Sequence, residues 1–312
     1  MEEKNYLIKK FREFYLKNKV QLPREFKRRE FAFVPFESFP DLVMKRHVSF
    51  ESEEDFREYV TKEVPAHVYY SSAYYENPSD EVMEKKGWMG ADLIFDIDGD
   101  HLPVKTKNVT SVLERAKIEV KKLLKLLRSD FGVKEVEVFF SGSRGYHVHV
   151  LDEDFRYLEA PERREIIDYL TLNNPKFGNP RESNAEIRVK KFLSKKGVPE
   201  KSWKKEKFLR SAISALKVYI DAPVTADVKR LIRMPGTLHG KSGLRVTRVE
   251  DIESFDPFSD AVAFGEEKVK VRVLKKVNMR TRDYELNLSP GETAEIPEFL
   301  AIYLICRGLA KI

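Results

Sequence analysis

An α/β or α+β core is the fold class this sequence predicts, and three observations carry it. Segments with period-two alternation and segments with helical 3–4 spacing succeed one another along 312 residues. A glycine-bracketed turn, Ser141–Gly145, separates two β-patterned runs near the middle. A basic, helix-patterned stretch at about 176–216 interrupts the order, so the expected layout is a discontinuous core, 1–175 and 217–312, with a small helical insertion. With 42% hydrophobic residues the chain can bury a sizeable core, which argues against disorder. Its single cysteine, Cys306, excludes an internal disulfide framework and a multi-cysteine zinc site. No apolar run reaches membrane length and no signal peptide is evident, so a soluble, cytoplasmic protein without a membrane partner is expected.

Residues 3–19 place Tyr6, Leu7, Phe11, Phe14 and Tyr15 on one helical stripe. Between Arg29 and Phe50, apolar residues broken by Pro35 and Pro40 read as short strands around a turn. A short helix over 52–62 opens with an acidic turn, and Val68–Ala73 reads as a strand. Ala91–Asp98 is the next strand, with Leu93, Phe95 and Ile97 on one face and Ile94, Asp96 and Asp98 on the other. The clearest helix spans about 111–129, where Leu113, Ala116, Val120, Leu123 and Leu127 recur and Ser111 with Glu114 forms a capping box. Strands follow at Val133–Phe140 and Tyr146–Leu151, then a helix at 161–171 opened by Pro161. After the basic segment come a strand at Lys217–Ile220, a short helix near Thr225–Leu231 and a strand at Gly243–Val249. A strand at Val269–Val273 and a helix at 297–310 complete the reading.

Three segments carry chemistry. Alternation puts the Asp96 and Asp98 Cβ atoms roughly 6–7 Å apart on one face. Two carboxylates ending an apolar strand read either as a divalent-metal site or as a solvated strand end. In Ser141-Gly142-Ser143-Arg144-Gly145, glycines allow successive N–H groups to form an anion nest, and Arg144 adds a planar fork suited to phosphate. His147 and His149 share one face of the strand that follows, and the alternative is a plain Gly-rich hairpin with satisfied histidines. In the third segment Asp221 closes a strand and can complete a carboxylate triad, whereas Asp227 reads as a surface residue. Arg233, His239 and Lys241 flank a Pro-Gly turn and add donors and charge. Carboxylate oxygens for Mg²⁺ or Mn²⁺ beside basic groups for a triphosphate make a nucleotidyl-transfer set.

These blocks, DLIFDIDGDH, SGSRGYH and DAPVTADVKRLIRMPGTLHGKSG, resemble in order the three motifs of the catalytic small subunit of archaeal and eukaryotic DNA primase, the archaeal form more closely. REFAF, RHVSF, HVYYSSAYYENP and EFLAIYLICRGLAKI extend the likeness over most of the chain. The resemblance implies an α+β primase catalytic core with an RRM-like antiparallel or mixed sheet flanked by helices. It also implies de novo synthesis of short RNA or DNA primers on single-stranded DNA from NTPs or dNTPs, and a large subunit with an iron–sulfur cluster as heterodimer partner. By the same resemblance Asp96, Asp98 and Asp221 match the catalytic, metal-binding aspartates. Ser141, Arg144 and His147 match the triphosphate motif, Arg233, His239 and Lys241 match nucleotide contacts, and Arg46 in RHVSF matches a nucleotide-contacting arginine. The resemblance also implies the structural Cys/His zinc module that family members usually carry just after Asp-x-Asp. Here His101–Asn108 has no cysteine, so no structural zinc is expected.

Two other readings stand beside this one: a stand-alone primase-polymerase of repair or plasmid replication, and a nucleic-acid-binding module without catalysis. The second rests on Glu186–Arg210, where ten Lys or Arg against three acids account for about the whole net charge of +6. Such a run also fits a solvated helix face. Acids on the open face of the sheet speak against a binding-only role, because they repel phosphate unless a cation intervenes.

Overall fold

The computed structural model describes residues 2–104, 108–173, 183–281 and 283–312. Helix α1 (Glu2–Lys17) buries the expected stripe of Leu7, Phe11, Phe14 and Tyr15. Strands β1 (Phe31–Val34) and β2 (Lys45–Val48) pair antiparallel. Helix α2 (Glu53–Glu63) follows, closed by a capping box between Ser52 and Asp55. Strand β3 (His67–Ser71) pairs with β1 and sends Val68 and Tyr70 into the main core, while Tyr69 joins Ala32 on the other face. Strands β4 (Ala73–Tyr75) and β5 (Trp88–Ala91) form a ribbon that leads into β6 (Leu93–Asp98).

Helix α3 (Val109–Asp130) begins two residues before the expected start, because the Asn108 side chain accepts the Ser111 N–H at 3.1 Å. Ser111 therefore lies inside the first turn and is not the cap. Strands β7 (Val136–Phe140) and β8 (Gly145–Val150) precede helix α4 (Ala160–Thr171). Helices α5 (Asn184–Lys195) and α6 (Glu206–Leu216) close a small core of their own around Val189, Leu193 and Ala212. The first residues of the expected insertion, 176–182, lie outside the described residues.

The segment 217–220 is a strap rather than the expected strand. Its N–H groups go to three different elements: Val218 to the Leu170 carbonyl, Tyr219 to the Glu119 carboxylate and then Asp221 to the Asp96 carbonyl. Asp221 accordingly does not end a strand; it precedes the short helix α7 (Ala222–Ala226) as its N-cap residue. The helix expected to run to Leu231 stops there, and Leu231–Arg233 is strand β9, which pairs with β3. Of the strand expected at Gly243–Val249 only β10 (Thr247–Arg248) forms, against β7.

Helix α8 (Pro257–Asp260) leads to β11 (Lys268–Val273), the hairpin β12 (Val277–Arg280) and β13 (Glu285–Leu288), and β14 (Thr293–Pro297). Helix α9 (Glu298–Cys306) is buried from Phe299 onward. It ends short of residue 310 because Gly308 turns at φ 63° and β15 (Ala310–Lys311) returns to pair with β11. Two four-stranded sheets, β2-β1-β3-β9 and β10-β7-β8-β6, dominate the architecture, and every strand pair among the described residues is antiparallel. No described helix is long and apolar enough to cross a membrane.

Candidate active site

The site grows from the pairing of β6 with β8, which sets Asp96 opposite His147 and Asp98 opposite Gly145. Leu93, Phe95 and Ile97 are buried in the core, so alternation fixes the two carboxylates on the other face. Gly145 is required at the crossing: a Cβ there would stand 2.5 Å from the Ile97 carbonyl oxygen. At Gly99 a Cβ would meet Val112 at 2.2 Å, so the first turns of α3 sit directly against the end of β6.

The third carboxylate is stitched in by backbone: the Asp221 N–H donates to the Asp96 carbonyl at 2.8 Å. Burial, and then the charges of Asp98 and Asp221, push the Asp96 carboxyl up to about 7, while Arg233 and Arg230 pull it back only in part. His147 Nε2 lies 3.8 Å from Asp96 Oδ1. Burial, with His149 and Arg233 nearby, holds the His147 ring well below its ordinary pKa, so it is neutral. Its Nδ1 is buried with no hydrogen-bond partner among the described residues.

The glycine turn packs against the turn that carries His239. Gly142 adopts φ 88°, and a Cβ there would come 2.7 Å from His239 Cβ. The Ser242 hydroxyl donates to the Gly142 carbonyl, locking the two turns together. Arg144 reaches the exposed Asp100 carboxylate at 2.5 Å, a contact that an incoming phosphate can replace. Ser141 is half-buried beside it, and Lys241 is exposed with its N–H on His239 Nδ1 at 3.2 Å.

Arg233 Nη1 donates to His67 Nδ1 at 2.6 Å and its guanidinium lies over the Tyr69 ring at 4.9 Å. The Gly240 N–H points to the same His67 nitrogen at 3.3 Å, and the His67 and His239 rings meet edge to face at 4.8 Å. Burial, together with Arg233 and Lys241, keeps His67 well below its ordinary pKa, so Nδ1 stays an acceptor.

The sequence model described as DNA primase small subunit matches residues 95–251. A protein of Archaeoglobus fulgidus named DNA primase small subunit PriS is 55% identical, with 100% of this chain and 99% of the relative aligned. The chain belongs to the DNA primase small subunit family. A Methanococcoides burtonii protein of the same name is 34% identical to this primase chain, again over 100% of it and 99% of the relative. The polymerase domain of Mycobacterium tuberculosis Ligase D in complex with DNA aligns at 12% identity and a TM-score of 0.44, over 81% of this chain and 83% of that one, a likeness too low to argue from. As a family member the subunit is a primer-synthesising nucleotidyltransferase of DNA replication, and the family's chemistry uses divalent metal.

Of the residues anticipated for this primase subunit, Asp96, Asp98, Asp221, Ser141, Arg144, His147, Arg233, His239 and Lys241 lie on three segments tied together by the contacts above. Arg46 takes no part in those contacts. It sits on the edge strand β2, held by the buried Glu30 carboxylate at 2.9 Å. Among the described residues no three His, Cys, Asp or Glu side chains converge closely enough, as they stand, to hold a metal ion. Asp98 spends one oxygen on the Asp100 N–H at 3.0 Å. The donor set is nonetheless all oxygen, and its surplus negative charge suits a hard divalent cation. Within His101–Asn108, residues 105–107 lie outside the described residues. His67 escaped the sequence reading; its one signal was the alternation of HVYYS, which aligns His67 with Tyr69.

Proposed function

We propose that this subunit starts chains de novo on single-stranded DNA, joining nucleoside triphosphates into short RNA or DNA primers as a DNA-directed RNA polymerase of the primase type. What supports this best is the meeting of three segments at Asp96: the Asp221 N–H on its carbonyl, His147 beside its carboxylate, and the Arg233 charge acting on both. In this reading Asp96, Asp98 and Asp221 hold Mg²⁺ or Mn²⁺. A cation bound there supplies charge neutralisation for a triphosphate and acidifies an attacking hydroxyl.

The protein's own part is to bind and orient. Arg144 exchanges Asp100 for phosphate oxygens, and the Ser141 hydroxyl with the glycine-turn amides adds donors. His147, kept neutral by burial, donates one N–H without adding charge beside the aspartates. His239 accepts the Lys241 N–H at Nδ1, which leaves Nε2–H as its donor, while Arg233 and Lys241 supply positive charge. Phosphoryl transfer asks mainly for this positioning and neutralisation.

The proposal extends to a large subunit as partner, to a core of 1–175 and 217–312 interrupted by the 176–216 insertion, and to a cytoplasmic, nucleoid-associated setting. No structural zinc is invoked. The test is unprimed synthesis on single-stranded DNA with labelled nucleotides and Mg²⁺ or Mn²⁺, comparing wild type with Asp96→Ala and Asp98→Ala, with and without a large subunit. Loss of synthesis in both variants, with wild type active, is the expected result. Extension of supplied primers without initiation, even with the partner present, would assign the chain to stand-alone primer extension. DNA binding without any synthesis would leave a binding module.

A further inference from the structure

A second basic site adjoins the first. The β12 strand, the end of α9 and the first turn of α3 enclose a cleft of about 190 Å³. Lys276, Arg280 and Arg307 line it, with Thr110 and Asn278 as neutral polar groups, and no Asp or Glu is among its lining residues. Buried Val277, Leu304 and Phe258 contribute its apolar wall. Lys276 and Arg280 are exposed, and none of the three cations has an ion-pair partner among the described residues. The larger cleft beside α4 and α5 differs in this respect, since its lysines and arginine are mixed with Asp130, Glu162, Glu165 and Asp168.

Its position gives the charge a purpose. Arg307 lies over the Tyr303 ring at 5.1 Å, and Arg144 of the glycine turn acts on the same Tyr303 hydroxyl through space. On the other side, Thr110 of the cleft is two residues from Val112, the side chain that packs against Gly99 next to Asp98. Arg144 of the glycine turn and Arg307 of the cleft therefore share Tyr303 as a neighbour.

We propose that this cleft binds a phosphate of the nucleic-acid strand engaged by the active site, with Lys276, Arg280 and Arg307 as its charged contacts. The inference rests on the nucleic-acid reading of the main site. Its primary readout is equilibrium binding, which does not need catalysis. Phosphate there can come from the DNA backbone or from the 5′-triphosphate of the initiating nucleotide, and the test separates them.

The experiment measures binding of a fluorescein-labelled oligothymidylate by anisotropy across a salt series, for the full chain and for Lys276→Gln with Arg280→Gln. Neither side chain is buried, so thermal melting should match wild type. A backbone site predicts weaker binding and a log–log salt slope shallower by about 0.7, one single-strand phosphate contact. Unchanged binding with a several-fold higher KM for the initiating nucleotide, at unchanged KM for primer extension, would assign the same phosphate site to the 5′-triphosphate. If binding, slope and both KM values all match wild type, the cleft is no phosphate site. Loss of synthesis in the Asp96→Ala protein with oligothymidylate binding intact would leave this test standing on its own.

Discussion

At the scale of single residues, His67 shows how the site keeps two candidate nucleotide contacts in place with one nitrogen. Its Nδ1 takes the Arg233 guanidinium and the Gly240 N–H, and its ring backs His239. The ring must stay neutral to accept, and burial beside Arg233 and Lys241 ensures that it does. His67→Phe keeps most of the volume and removes the acceptor, leaving two donors unsatisfied in a buried place. That costs roughly 1–3 kcal/mol. Part of it should appear as about a tenfold rise in KM for nucleotide, with a smaller change in kcat. His67→Gln, which restores an acceptor, should recover much of the loss. Equal kinetics for the Phe variant and wild type would show that Arg233 needs no such anchor.

At the scale of elements, the helical insertion carries the charge and the strap at 217–220 carries the geometry. Lys204, Lys205 and Lys207 are exposed at the start of α6, on helices whose apolar faces are spent on their own small core. If this face holds template, reversing the three charges to Glu should weaken single-stranded DNA binding several-fold and flatten its salt dependence. An unchanged slope in a salt series would reduce the segment to a solvated surface. The strap also marks a limit of what the sequence reveals. Leu113, Ala116, Val120, Leu123 and Leu127 announced α3 through their spacing, and all are buried. Nothing in that spacing announced that Glu119, on the same helix and fully buried, would take the Tyr219 N–H and so replace a strand by a strap. Local periodicity reports which face is apolar. It is silent on a long-range side-chain bond that overrides β-propensity. The same distinction separates Asp96 and Asp98, legible from alternation, from Asp221, which reaches them only through a backbone bond 125 positions away in sequence.

At the scale of the whole molecule, four of the six histidines are buried: His67, His147, His149 and His239. His67 lies on β3, His147 and His149 on β8 and His239 in the turn after β9, and burial lowers the pKa of each. His149, with Tyr70 Oη 3.4 Å from its Nδ1, is held down to about 4 against an ordinary 6.5. The unfolded chain binds these protons first on acidification, so stability is full above about pH 6.5 and falls as the pH drops toward 4. Asp96 works in the opposite sense: its carboxyl is raised to about 7, so in the native state it is protonated where the unfolded chain is ionised. The four depressed imidazoles work toward acid destabilisation and the one raised carboxyl works against it. His149→Gln keeps polar groups toward Tyr70 and removes the titration. In urea melts between pH 7 and pH 4 it should lose less stability than wild type, by roughly 3 kcal/mol over the full window. The direction of the difference is the discriminating result. Parallel curves for the two proteins would mean that His149 takes up its proton as readily folded as unfolded, and that the inter-sheet core tolerates a charge which its burial among Phe139, Tyr70 and His147 argues against.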